Sequence, residues 1–242
     1  SVDWTIGKNF VLTAQEANLL MQANVSAQNV SIEAKSGSLI MVDGKAITSD
    51  GTITLAGADG LDLSNIVGSS TDSAQQIALL SSAGNIRDLT SDELANVITA
   101  GSLLLNGASI GAQGVGDIDL DVGVINVITT SDNAGGATLQ SLVTTGTNLS
   151  SATTTGAFAL TVNEGDLNVT GNAKVGGLIL NLGADSAVAN TRSIKQAEST
   201  SIQSLSAATL IATGDIELAQ LSVLTGDATL NAQGLILDVN TA

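Results

Sequence analysis

The chain has 242 residues, with 23 acids against 7 bases, a net charge of −16, and no Cys, Pro, His or Tyr. That balance excludes a nucleic-acid binder, which needs a basic footprint, and argues against an anionic lipid surface. The missing Cys and His exclude a disulfide framework, a Ser-His-Asp or Cys-His nucleophile and a His-based zinc site.

Only Trp4, Phe10 and Phe158 are aromatic, yet 43% of residues are hydrophobic. A core must therefore come from Val, Ile, Leu and Ala. With 26 glycines, such a composition suits many short strands and tight turns. No apolar run approaches the length that spans a bilayer. No leader is legible at Ser1, so the chain reads as a mature segment or an interior stretch of a longer one.

In chain order, residues 1–23 read as an N-terminal cap or an irregular coil. In "LTAQEANLLMQANV", Thr13 and Glu16 have capping-box spacing. The stretch is either a helix over the first coil or two irregular strands. Trp4 and Phe10 either plug the open end of that coil or pack against whatever precedes it.

From Gly37 a phrase recurs: a glycine, a small residue, then apolar residues at every second position. It reads "GSLIMV" at Gly37, "GTITL" at Gly51 and, more loosely, "GNIRDL" at Gly84. Between them, "TDSAQQIALLSSAG" predicts a strand over Ile77–Ser81. "LTSDELANVITAG" pairs Thr90 with Glu93 and ends at Gly101. That pattern predicts a short helix around Ser91–Val97, an excursion over 90–98 outside the main body. "GSLLLN" resumes the phrase at Gly101.

"GVGDIDLDVGV" follows, with Asp117, Asp119 and Asp121 at alternate positions. An EF-hand loop needs Gly at its sixth position and Glu at its twelfth. Counted from Asp117, those places hold Val122 and Ile128. The RTX pattern GGxGxDxUx fails as well, with Gln113 and Ile118 in its key places. Ile118, Leu120 and Val122 fill the gaps, so alternation sends them inward and the three carboxylates into water. A weakly bound Ca2+ on that face is the functional reading. A solvated strand face is the plain one, and no other cofactor is expected.

Further on come "GDLNV" at Gly165, "GGLILNL" at Gly176, "GDIELA" at Gly214 and "GDATLNA" at Gly226. Phe158 reads as a core position. The bases Lys8, Lys35, Lys45, Arg87, Lys174, Arg192 and Lys195 read as solvated charges. Arg192 and Lys195 fall together in "NTRSIKQAES", either a contact for an acidic neighbour or an exposed loop.

Strands of about five residues cannot bury an apolar face alone. Stacked, they form a continuous core, which is the logic of a solenoid. The expected fold is all-β: one right-handed parallel β-helix over 1–242. It has about ten coils, a length of roughly 50 Å and one or two short helical excursions.

Three stretches carry a resemblance: "GSLIMVDGKAITSDGTITLAGADGLDLSNI", "SAGNIRDLTSDELANVITAGSLLLNGASIGAQ" and "IATGDIELAQLSVLTGDATLNAQGLILDV". They resemble the repeats of filamentous-haemagglutinin-like giant exoproteins of Gram-negative bacteria. The resemblance covers most of the chain after Asn24. It implies a stretch of extracellular or outer-surface shaft, exported with an outer-membrane secretion partner and serving adhesion or cell contact. The secretion domain that opens such proteins is not recognisable, and no family site residues transfer.

Three functions follow as expectations. The first is a non-catalytic adhesive shaft that meets a host or neighbouring-cell ligand. The second is a subunit that self-associates end to end into an extracellular fibre, sheath or surface layer. The third is a polysaccharide-acting β-helix enzyme. The shaft fits the residues best, because the bases are scattered and aromatic platforms are missing.

Overall fold

The computed structural model describes residues 2–68, 76–90, 98–111, 117–129, 135–143, 145–182 and 191–240. They form a right-handed parallel β-solenoid of about nine turns, with no helix among the described residues. At about 4.8 Å per turn the stack is roughly 40 Å long. That is one turn fewer than expected, because some coils are long. Register partners in successive coils lie from 19 to 32 residues apart.

Three inward ladders build the core. Val25, Ile47, Ile66, Ile98 and Leu120 are successive register partners on one side. Phe10, Val30, Ile53, Ile77, Leu103, Ile125, Leu149 and Val169 stack on the second. Leu19, Leu39, Leu61 and Ile86 start the third, which passes through Ile110 and Ala137 to Phe158, Leu178 and Ala208. Every strand pairing is parallel, so each coil repeats the previous one's direction and inward set.

The glycine phrases become strands as their alternation predicts. The one after Gly51 is Ile53–Gly57, and the one after Gly165 is Leu167–Val169. Those after Gly214 and Gly226 are Ile216–Leu218 and Ala228–Ala232. Gly165 is required by conformation and space. Its φ is +73°, and an added Cβ would lie 2.4 Å from the Gly146 nitrogen.

The expected strand near Ile77 is present as Gln76–Ser81. Of the two N-terminal readings, strands prevail: Trp4–Ala14 and Leu19–Met21. Phe10, Leu12 and Ala14 alternate inward against the core, which a helix would not allow. Most of the predicted helical excursion, 91–97, lies outside the described residues. Thr90 before it is irregular, and Gly101 lies within strand Ile98–Gly107, not at a helix end.

Candidate functional site

The aspartate stretch lies where the third and first ladders meet. Asp117 precedes strand Ile118–Thr129, which carries Asp119 and Asp121. Ile118, Leu120 and Val122 point into the core and are fully buried. The expectation that all three carboxylates stand in water fails at Asp119, which is 1% exposed. Asp117 and Asp121 are half-buried.

The reason is lateral. On the outer face of a stacked sheet, exposure is set by the neighbouring coils as well as by the strand's alternation. Asp119 lies beside Gln140, and Asp121 beside Thr99. Among the described residues no group of three or more potential ligands is arranged to hold a metal ion.

The fold draws Asp117 toward acids that its local pattern does not contain. Asp88, at the end of strand Asn85–Asp88, feels the charges of Asp117 and Asp43. Burial pushes the Asp88 carboxyl above its ordinary value, and those two charges add to the rise. Hydrogen bonds from Thr90, N–H at 2.6 Å and hydroxyl at 2.8 Å, oppose it without cancelling it. No short motif signals this grouping, because coil stacking creates it.

Three of the bases read as solvated charges are not free in water. Arg87 and Asp62 are register partners, and Arg87 donates from Nε and Nη2 to Asp62 Oδ1 at 2.8 and 2.7 Å. Lys195 Nζ sits 2.6 Å from Asp166 Oδ2. The exposed-loop reading of "NTRSIKQAES" fails at Arg192, which is 1% exposed, and holds at 197–199, an exposed turn. Residues 192, 194 and 196 alternate inward, so 192–196 belong to the wall of a coil and Ile194–Gln196 is a strand.

That coil carries two inward polar side chains with opposite outcomes. Gln196 Nε2 donates to the Thr200 and Gln220 carbonyls at 2.9 and 3.0 Å. Its Oε1 accepts the Ala219 and Gln220 N–H groups at 3.0 and 3.1 Å. The Arg192 guanidinium has no such set, and its Nε and Nη1 are buried without hydrogen-bond partners.

An outward column of acceptors runs beside it. Asp166 Oδ1 accepts the Ser193 N–H, Ser193 Oγ accepts the Asp215 N–H, and Asp215 Oδ1 accepts the Leu235 N–H. Each side chain thus holds the backbone of the next coil. The column stops at Leu235, whose side chain has no acceptor to offer.

The two ends of the stack are apolar. At the N-terminal end, Trp4 and Phe10 lie with ring centroids 5.2 Å apart. Trp4, Leu12, Leu19, Leu20 and Met21 help line a cavity of about 520 Å³ there. At the other end Leu224, Leu235, Ile236 and Leu237 are exposed.

Comparison with protein-family models, curated proteins and solved structures finds no match.

Proposed function

We propose that the chain is a length of structural shaft in a secreted or cell-surface bacterial exoprotein of the filamentous-haemagglutinin-like kind. It is non-catalytic and spaces adhesive parts away from the surface that bears it. The observation that carries this reading is the set of three inward ladders running from coil to coil in one parallel register. Such a stack lengthens without changing its cross-section, because each coil packs only on its neighbours. Coil-by-coil packing also suits a chain that emerges from an outer-membrane secretion partner and folds as it appears. The ligand is a host or neighbouring-cell surface group, and no cofactor is needed.

The test is the mass of the native protein on a denaturing gel, probed with an antibody to this segment. A band far above 24.0 kDa supports a shaft segment of a giant exoprotein. A band at that mass removes this reading.

The apolar ends favour a second reading, end-to-end stacking of copies into a fibre. Exposed parallel strand edges at both ends offer the backbone groups for it, and a head-to-tail contact does not close. Sedimentation velocity across a hundredfold concentration range distinguishes the two. Growing species support the fibre, and a constant monomer rejects it.

A further inference from the structure

The coils before the aspartate stretch carry a groove on their outer wall, away from both ends of the stack. Its volume is about 450 Å³, within the range of roughly 300–1,000 Å³ that small-molecule sites occupy. Glu33, Ala56, Leu80 and Asn106 line it and are successive register partners, so they form one outward column across four coils. At about 4.8 Å per coil, Glu33 and Asn106 stand roughly 14 Å apart along the rod. Lys35 and Ala58 lie two residues further on, beside Glu33 and Ala56, and the Ala58 N–H donates to the Ala34 carbonyl at 3.0 Å as that register requires. The second of these coils offers only Ala56 and Ala58 between larger neighbours, and that step down makes the groove.

The polar side chains around it are idle in the fold. Among the described residues the ion pairs are Arg87–Asp62 and Lys195–Asp166, so neither Glu33 nor Lys35 is in one. Asn106 Oδ1 is buried and accepts no hydrogen bond. A buried acceptor left unmet lowers stability, and native structures keep few of them. Turning the Asn106 amide about χ2, toward the groove, costs that oxygen no hydrogen bond.

The chemistry of the lining selects its occupant. Strands Val25–Ala34, Ile53–Gly57 and Gln76–Ser81 are each paired on both sides, so the wall offers no free backbone edge to an extended peptide. One carboxylate beside one ammonium gives no net charge to hold an ion, and the chain's net −16 repels anions. A neutral ligand remains, with C–H faces for Ala56, Ala58 and Leu80 and hydroxyls that both donate and accept at its rim. Pyranose rings have that form. Two linked rings match the reach from Glu33 to Asn106 better than one.

We propose that this groove binds a neutral disaccharide unit of a glycan. Glu33 and Lys35 take hydroxyls of one ring, Asn106 takes those of the other, and the aliphatic floor packs against the C–H faces. The lining has no aromatic side chain, so a single site is weak, with a dissociation constant of about 1–10 mM. The site goes beyond the shaft reading and does not depend on it. Gel mass tests that reading, and sugar binding tests this one.

The experiment titrates the full chain, labelled with nitrogen-15, with cellobiose, lactose and maltose in turn, and with tri-alanine as the peptide probe. At least one disaccharide moves the amide signals of Ala56, Ala58, Leu80 and Asn106 saturably, and tri-alanine leaves them in place. No saturable movement with any of the three sugars overturns the proposal, as does an equal response to tri-alanine. Two variants at outward positions follow. Ala56→Gln fills the floor and weakens binding about tenfold or more, and unchanged binding overturns the site. Asn106→Leu weakens binding about tenfold and melts at or above the native chain. If it melts lower and binds as before, the amide serves the fold and the proposal falls. Should Ala56→Gln not fold, Asn106→Leu decides.

Discussion

Lys195 reaches back 29 residues to place its Nζ 2.6 Å from Asp166 Oδ2. The other oxygen of that carboxylate takes the Ser193 N–H at 2.8 Å. One side chain therefore holds a charge and a backbone group across the same coil boundary.

The pair makes stability depend on pH at both extremes. Burial pushes Asp166 up, but the Lys195 and Ser193 hydrogen bonds and the Lys195 charge outweigh it, so its pKa lies below 3.8. An acid lowered in the folded state contributes stability that is present above 3.8 and lost as pH falls through the folded value. The Asp166 hydrogen bond raises Lys195 above 10.5, so its contribution is present below 10.5 and lost as pH rises through the folded value. Lys195→Met should cost about 0.5–1 kcal/mol near neutrality, a figure kept small by solvent screening of this half-exposed pair. The difference from the native chain should shrink at both extremes, as read from urea midpoints.

Asp88 works in the opposite direction. Its folded pKa is raised, chiefly by burial. Its contribution is therefore fully present below 3.8 and is lost as pH rises through the folded value. Asp88→Asn still accepts from Thr90 and carries no charge toward Asp117 and Asp43. Its stability relative to the native chain should improve between about pH 4 and pH 7, again by urea unfolding. An unchanged difference across that range counts against the electrostatic account.

Gln196 answers four backbone groups from inside the stack. Gln196→Leu keeps the volume and removes every partner. Each buried unmet group costs about 1–3 kcal/mol, and entering water recovers part of it, so a loss of about 2–5 kcal/mol is expected. Ile194→Val, its inward neighbour on the same strand, should cost only about 0.5–1.5 kcal/mol.

Asp215→Ala removes the acceptor for the Leu235 N–H. The effect should be local, because the next strand, Ile236–Asp238, is exposed. Amide exchange at Leu235 should accelerate by about fivefold, equivalent to roughly 1 kcal/mol, while amides of strand Gly177–Leu182 and its neighbours keep their protection.

The fold was legible because its grammar is local. A glycine followed by alternating aliphatics marks a strand, and Ile53–Gly57 and Leu167–Val169 need no distant information to be found. The site residues were not legible in that way. Asp119 alternates outward and is still buried, because Gln140 of another coil lies beside it. Arg192 was misread because its neighbours in sequence are polar, whereas its position is set by the inward run it shares with Ile194 and Gln196. The ion pair of Arg87 with Asp62 joins residues 25 apart. Local pattern sets which face a residue takes. Coil register sets what that residue meets, and irregular coil lengths hide the register from the sequence. Thr13 and Glu16 show the converse error: capping-box spacing arises within a strand and the turn that follows it.

The ladder hydrogen bonds point along the rod, from each coil to the next. Tension applied between the two ends therefore loads the coils in series. The outermost coil peels away first while the rest stay folded. Each coil released reels out about 20 residues, or roughly 70 Å of slack. A tether built this way yields by stepwise lengthening under shear, and its folded remainder is the template on which lost coils wind back.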